Sequence, residues 1–307
     1  MKRYLAPLGW AMGMLVLILD GKTAMAGAAA GLELCLKTLI PSLFPFFVLS
    51  MMLTGSLSGG GLLLTGVLGG YPVGAANAAR LHRAGQLSRQ EAERMAVLCN
   101  CAGPSFLFGV AGPVLGAPGA AVVLWGIYLL SVTVLWLLFP KSGRTPGVTQ
   151  PIRLQQALTG SIRAMAGVCG WVVLFRVLIA ILDRWILWIL PDWGRICILG
   201  FMELSIGCLS LTEFQAGLRF VLTAGFVGFG GICVFLQTAS VAQGLSLRYY
   251  FPGKLFQGAL CILLASFLTP GALTPWVQFL LAVLAAFMVV ILRKSEKRSG
   301  NPALVIV

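Results

Sequence analysis

Long apolar runs, separated by short polar or basic stretches, make up most of the chain. Several of them approach or exceed the roughly 20 residues that an α-helix needs to cross a bilayer. The main runs lie at 5–19, 39–54, 95–116, 117–139, 157–182, 196–211, 218–242, 255–268 and 273–292. The pattern predicts an all-α polytopic membrane protein with roughly eight to ten transmembrane or re-entrant helical segments.

The composition agrees with this pattern. Of the 307 residues, 59% are hydrophobic and only 10% are charged, and the mean hydropathy is +0.95. A soluble domain carries about 25% charged residues. The scarcity of charge indicates that lipid surrounds most of the surface, so we expect the bilayer to be the main partner.

The net charge of +13 comes from basic residues that cluster near the ends of the runs. Such clusters mark cytoplasmic loops under the positive-inside rule, and nucleic acid binding would need a continuous basic face instead. The clusters predict a multi-pass protein of the bacterial cytoplasmic membrane that binds no nucleic acid. Strict alternation of spans cannot place all of them on one side, so at least one segment should enter and leave on the same face. They comprise Lys2 and Arg3; Arg80, Arg83, Arg89 and Arg94; Lys141, Arg144 and Arg153; and Arg293, Lys294, Lys297 and Arg298.

A linker rich in Pro and Gly at 141–156 separates two halves, at 39–140 and 157–292. We expect an N-terminal span and an interfacial helix at 1–38, and a basic cytoplasmic tail at 293–307. Each half has an early helix, then short broken segments, then a terminal span. Inverted repeats with interrupted helices in corresponding places are typical of secondary transporters.

Glycine and proline interrupt the apolar runs at three places. Proline lacks a backbone donor, and glycine permits positive φ, so regular helix is not expected there. The freed amides and carbonyls could coordinate a ligand, as in broken transporter helices, or the glycines could serve a close helix crossing. The predicted backbone breaks are Gly70, Pro72, Gly74, Gly103, Pro104, Gly228, Gly230 and Gly231.

The ionisable residues Arg176 and Glu203 are flanked on both sides by apolar sequence. A charge at bilayer depth costs several kcal/mol and by default marks a functional site. Glu203 could bind a cation, a proton or a donor of a substrate. Alternatively, Arg176 and Glu203 form a structural ion pair between two helices, or Arg176 extends towards the membrane interface.

Five further polar residues accompany the broken segments and complete the predicted substrate site around Glu203. They are Tyr71, Asn100, Ser105, Ser205 and Gln237. Enzyme motifs are missing, and the single histidine, His82, lies in a basic loop. We therefore predict no enzyme, no catalytic residue, no metal site and no cofactor. The eight cysteines are interpreted as buried apolar residues.

Two polar stretches are interpreted as lying outside the membrane core. The segment 80–94 reads as a basic cytoplasmic helix on which 91–94 (EAER) forms a solvated face. The segment 248–254 reads as a short basic loop before the next apolar run.

Several motifs together resemble one known family. The segments 41–45 (PSLFP), 70–74 (GYPVG), 91–94 (EAER) and 99–104 (CNCAGP) carry the resemblance in the first half. In the second half, 201–203 (FME) and 228–231 (GFGG), followed by Gln237, fit the same pattern. With these motifs the chain resembles the sporulation integral membrane protein YlbJ family.

The resemblance implies a Gate, or nucleoside-recognition, domain of the kind shared with concentrative nucleoside transporters, the ferrous-iron permease and the spore maturation proteins. It also implies a role in forming the spore cortex, in the forespore or mother-cell membrane. Two residues depart from the family pattern. The resemblance leads us to expect a second asparagine where Cys101 stands and a polar residue near Ile206.

Two functional hypotheses remain open at this point. The first is a secondary transporter for a small polar solute, coupled to H⁺ or Na⁺. The second is a non-transporting scaffold that positions cortex-building machinery in the membrane. Either protein could act as a homo-oligomer.

Overall fold

A computed structural model describes residues 2–56, 60–117, 119–139 and 152–299. Every regular element in these ranges is helical. Five helices are long and apolar enough to cross a membrane, and they lie at Gly21–Leu53, Ala120–Leu138, Leu154–Trp185, Ala216–Val241 and Tyr250–Leu268. The predicted all-α polytopic membrane fold is confirmed.

The N-terminal part differs from the prediction. After α1 (Lys2–Leu19), one continuous helix runs through α2 (Gly21–Leu34), a π-helical turn (Cys35–Leu39) and α3 (Ile40–Ser56). The expected boundary between residues 38 and 39 therefore falls inside a helix. The π turn stands directly before Pro41, whose missing N–H disturbs the regular hydrogen-bond ladder.

Two short helical hairpins follow a common plan. In the first, α4 (Gly60–Gly69) and α5 (Val73–Arg83) are joined by a turn at 70–72. In the second, α11 (Asp192–Met202) and α12 (Leu204–Leu209) are joined by one extended residue, Glu203. Three of the arms have 10 or 11 residues and are about 15 Å long, half of the hydrocarbon core, and α12 has only 6 residues. Each hairpin is therefore re-entrant.

Two further helices are interrupted along their length. The first runs from α6 (Arg89–Leu98) across non-helical residues 99–103 into 104–115 (α7, Pro104–Phe106; a π turn; α8, Gly112–Leu115). The second runs from α13 (Ala216–Phe229) into α14 (Gly231–Val241). Gly230 separates these two with φ +87°, a conformation that favours glycine.

Uninterrupted helices complete the bundle. They are α9 (Ala120–Leu138), α10 (Leu154–Trp185), α15 (Tyr250–Leu268) and α16 (Pro275–Ser299). The order of hairpin, broken helix and long helix thus occurs at 60–138 and again at 192–268. Most of the linker and part of the basic tail, 141–151 and 300–307, lie outside the described residues.

One face of the bundle gathers basic residues. Arg94 Nε donates to the Phe139 carbonyl at 3.2 Å, and the Ser246 amide donates to Glu93 Oε1 at 2.9 Å. The start of α6, the end of α9 and the loop between α14 and α15 therefore lie together. Arg80, Arg83, Arg89 and Arg248 belong to the same loops. The positive-inside rule makes this the cytoplasmic face.

The opposite face carries acids and exposed tryptophans. Asp20 accepts a hydrogen bond from Trp185 Nε1 at 2.9 Å and pairs with Arg184 at 3.1 Å, and the bond from Trp185 lowers the pKa of the Asp20 carboxyl. Asp183 accepts hydrogen bonds from Nε and Nη2 of Arg195 at 2.5 and 2.6 Å. Exposed indoles are typical of a membrane interface, so these residues mark the outer face.

These contacts place the loops that contain Arg80, Arg83, Arg89 and Arg248 on one side. In this orientation the first hairpin enters from the cytoplasmic face and the second from the outer face. The sequence required at least one segment that returns to its own face. The two hairpins are segments of this kind.

This orientation predicts the labelling of single cysteines in a Cys197→Ser background, which removes the exposed native thiol. A membrane-impermeant maleimide should label Thr212→Cys in intact cells, and should label Gln243→Cys only after the membrane is opened. Both positions are exposed. The reverse result would overturn the orientation, and labelling of both from outside would overturn their placement on opposite faces.

Candidate functional site

The tip of the first hairpin reaches the second half of the chain. The Tyr71 hydroxyl donates to the Val227 carbonyl at 3.1 Å and lies 3.2 Å from the Tyr128 hydroxyl. The Tyr128 hydroxyl accepts from the Ala102 amide at 2.9 Å. One directed set of hydrogen bonds therefore runs from Ala102 through Tyr128 and Tyr71 to Val227. It ties the hairpin tip to both interrupted helices.

The tip of the second hairpin carries a buried carboxylate. Glu203 is 2% exposed, and its oxygens accept from the amides of Ser205 at 3.1 Å and Ile206 at 2.8 Å. Glu203 is thus the N-cap of α12, whose free amides favour a negative charge. Gly231, at the second helix break, lies against the backbone of this tip.

The predicted ion pair between Arg176 and Glu203 is absent. Arg176 lies on the side of α10 that packs on α2, where its backbone and side-chain stem contact Gly27 and Gly31. Its Nε has no hydrogen-bond partner among the described residues. The pair does not form because Arg176 points towards α2, whereas Glu203 occupies a hairpin tip.

A small, partly open cavity lies between the two tips, with a volume of about 40 Å³. Its polar lining consists of Tyr71, Glu203, Ser205 and Gln237, and its remaining walls are mainly apolar. A water molecule needs about 10–15 Å³ of such volume, and pockets for small molecules are about 300–1,000 Å³. The cavity therefore fits water or a single small ion, and a larger solute requires the tips to separate.

The oxygen atoms around the cavity suit a cation or a hydrogen-bond donor. Gln237 uses its Nε2 to donate to Cys233 Sγ at 3.2 Å, which leaves Oε1 available. Ser205 adds a hydroxyl from the first turn of α12. With the Glu203 carboxylate, these groups form an acceptor-rich site at bilayer depth.

Asn100 and Ser105 do not line this cavity. Asn100 is fully buried at the first helix break, where its amide lies 2.8 Å from Thr238 Oγ1 and 2.5 Å from the Tyr250 hydroxyl. Among the residues that the structure describes, neither Asn100 Oδ1 nor the buried Ser105 hydroxyl has a hydrogen-bond partner. Of the six predicted substrate-binding residues, four gather at the cavity and two lie apart.

The sequence interpretation missed Lys254. The segment 248–254 is not a loop throughout, because α15 begins at Tyr250 and Pro252 is tolerated in a first helical turn. Lys254 is 1% exposed, and its Nζ donates to the Asn100 carbonyl at 2.6 Å and to Gln257 Oε1 at 2.8 Å. The available signal was a lysine followed three residues later by a glutamine inside an apolar run.

Two of the predicted backbone breaks also need correction. Gly74 lies inside α5, and Gly228 lies inside α13. Both are points of close packing: Gly74 meets the Cys99 carbonyl, and Gly228 meets the backbone of Gly258. The other six predicted positions lie at or directly beside an interruption: Gly70, Pro72, Gly103, Pro104, Gly230 and Gly231.

The face at 91–94 is not wholly solvated, as the sequence suggested. Arg94 Nη1 and Glu91 Oε1 pair at 2.9 Å with side chains 6% and 4% exposed. Arg94 also stacks over Trp136 at 4.5 Å from the ring centroid. The pair is buried because α9 covers this side of α6.

Comparison with protein-family models gives no match, and no solved structure matches the chain. Among curated proteins, the chain is similar to "Sporulation integral membrane protein YlbJ" of Bacillus subtilis (strain 168). The two are 24% identical over 325 aligned positions, which cover 83% of this chain and 80% of the relative. This similarity confirms the resemblance carried by the motifs: the chain is a multi-pass membrane protein similar to a sporulation integral membrane protein of the YlbJ type.

Proposed function

We propose that the chain is a cation-coupled carrier that moves a small polar solute across the membrane, and that this transport serves spore cortex formation. In this proposal Glu203 binds either the coupling cation, H⁺ or Na⁺, or a donor group of the solute. Tyr71, Ser205 and Gln237 form the rest of the site.

The observation that supports the proposal is the meeting of two helical hairpins around a small cavity that is lined by Tyr71, Glu203, Ser205 and Gln237. Backbone that is not helical at bilayer depth is tolerated only where protein or a water-filled cavity covers it. Four interruptions, at 70–72, 99–103, 203 and 230, converge in this region. Discontinuous helices around a midplane site are the usual architecture of carriers with alternating access.

In the proposed cycle each hairpin blocks the route from its own face, since the first enters from the cytoplasm and the second from outside. Withdrawal of one tip would open the site to one side only. The resemblance to families with a Gate domain, among them nucleoside transporters, adds support.

The proposal predicts that Glu203→Gln abolishes coupled uptake. In proteoliposomes given a mixture of labelled amino acids, nucleosides and dicarboxylates, the wild type should accumulate at least one solute under an inward H⁺ or Na⁺ gradient. Glu203→Gln should reduce that accumulation by about tenfold or more, because the neutral amide cannot hold a cation at this depth.

The matched control is Glu33→Gln, since Glu33 is an exposed carboxylate whose side chain is 61% exposed. It should transport like the wild type. Absence of uptake for every solute, together with normal cortex formation by a folded Glu203→Gln protein, would favour the scaffold instead.

A further inference from the structure

We propose that the exposed face of α2 is the interface of a homodimer, in which Glu33 and Lys37 of one chain pair with Lys37 and Glu33 of a second copy. This inference concerns the association of two chains and goes beyond the proposed transport. It is carried by an ion pair that lies at the depth of the lipid core and faces away from the rest of its own chain.

The position of α2 places both charges deep in the membrane. This helix begins at Gly21, directly after Asp20, which is bonded to Trp185 at the outer face. At 1.5 Å per residue, the helix reaches Glu33 after about 18 Å and Lys37 after about 24 Å. The hydrocarbon core is about 30 Å thick. Both side chains therefore start from backbone that lies inside the core.

The neighbours of this segment give the same depth. Between the two charges, Cys35 is buried, and its Sγ lies 3.9 Å from the Cys169 carbonyl of α10. Val168 and Val172, on either side of Cys169 in the sequence, line the cavity between the hairpin tips. The ion pair is thus level with that cavity, but on the exposed side of its helix.

The ion pair has little cover from the described residues. Lys37 Nζ and Glu33 Oε1 are 2.7 Å apart, and their side chains are 74% and 61% exposed. In water such a pair would need no further partner. Lipid tails, however, offer nothing to the remaining donors of the ammonium or to the second carboxylate oxygen. Charged side chains within membrane spans almost always face protein or a water-filled cavity, so a protein surface is expected to cover this face.

The rest of the face suits close contact between helices. Ala26 and Ala30 are exposed and, together with the two charged residues, recur at intervals of four, three and four residues. This spacing forms one stripe along a helix, and small residues four apart let two backbones approach in lipid. The neighbouring stripe of Gly27 and Gly31 is already occupied, because it packs on the backbone of α10.

A second copy of the chain has the charges that this face requires. In a two-fold dimer the same face meets itself, so residue i contacts j and j contacts i. Both copies insert in the same orientation, and equal residues then lie at equal depth. Since Glu33 and Lys37 are one helical turn apart, each carboxylate is within reach of the ammonium of the other chain. A partner surface with charges of one sign would instead repel one of the two residues.

Disulfide trapping in native membranes tests the contact. In a Cys197→Ser background, oxidation with copper phenanthroline should link Ala30→Cys into a species of twice the monomer mass. Leu130→Cys is the control, because Leu130 is 50% exposed in the middle of α9 and should not link. Adducts of Ala30→Cys with a different protein, or equal linking at Leu130→Cys, would overturn the inference.

Mixing two charge variants tests the pairing. Glu33→Lys and Lys37→Glu should each weaken association at least tenfold, measured by light scattering on the purified full chain, because like charges then face each other. Co-expressed with different affinity tags, the two variants should copurify as a mixed dimer, since each supplies the charge that the other lacks. A fold repaired within one chain cannot give this recovery, so it also covers a single variant that fails to accumulate.

Arg83→Glu is the control for a change of charge, because Arg83 is exposed at the cytoplasmic end of α5 and should leave association unchanged. A wild type that stays monomeric at every concentration would overturn the inference, and so would failure of the two variants to copurify where wild-type chains do. The cavity is lined by residues of one chain, so these measurements stand whether or not the proposed carrier function holds.

Discussion

Replacing Gly74 with alanine is expected to prevent the first hairpin from docking and to leave little monodisperse protein. A Cβ at this position would lie 1.8 Å from the Cys99 carbonyl oxygen and 2.3 Å from its carbon. Both neighbours are backbone atoms of the first helix break, so no side chain can rotate away. Overpacking in a core usually costs about 1–3 kcal/mol through side-chain adjustment, and here the helix itself must move.

Gly66→Ala should have the same effect, because its Cβ would lie 2.0 Å from the same oxygen. Gly126→Ala is the control, since Gly126 lies in α9 with nothing within 4 Å. It should be neutral or slightly stabilising, as alanine is favoured over glycine in a helix by about 0.5–1 kcal/mol. Fluorescence-detected chromatography and thermal unfolding measure all three. A Gly74→Ala protein that unfolds at the wild-type temperature would contradict the packing.

Much of this fold was predictable, because lipid imposes simple rules on a sequence. The apolar runs at 117–139 and 157–182 became α9 and α10 with small shifts at their ends. Glycine and proline also located the interruptions at 70–72, 103–104 and 230 correctly. In each case the local chemistry of the backbone decides the outcome.

The charged residues were harder to place, because their burial depends on neighbours that are distant in sequence. Lys254 reads as part of a basic loop until the Asn100 carbonyl, 154 positions earlier, is seen to accept its hydrogen bond. Glu91 and Arg94 read as a solvated face until α9 covers them. The pairing of Arg176 with Glu203 was one of the alternatives that the sequence left open, since a sequence does not give the direction in which a helix turns its side chains.

The orientation in the membrane could be predicted only in part from the sequence. The basic clusters gave the rule, but simple alternation of spans could not satisfy it. Two contacts between distant loops, Arg94 with Phe139 and Ser246 with Glu93, show which helix ends share a face. Once those ends are known, the two re-entrant hairpins follow.

Replacing Tyr71 with alanine is expected to convert a coupled carrier into a leak. The side chain forms one wall of the cavity and links the first hairpin to Val227 and Tyr128. Its removal enlarges the cavity beyond about 40 Å³ and releases the tip. Proteoliposomes preloaded with a solute that the wild type carries should lose it several-fold faster without a gradient, and accumulation against a gradient should disappear.

Tyr71→Phe separates the two roles of this side chain. The ring still fills the space beside Lys254, but the hydrogen bonds are lost, each with a net contribution of about 1 kcal/mol. Accumulation should therefore fall only about fivefold and remain coupled. Tyr249→Phe and Tyr249→Ala, in the cytoplasmic loop, should transport like the wild type. Without the Tyr71 side chain, a barrier formed by this hairpin tip could not maintain a solute gradient. Full coupled accumulation by Tyr71→Ala would therefore show that the tip is not the barrier.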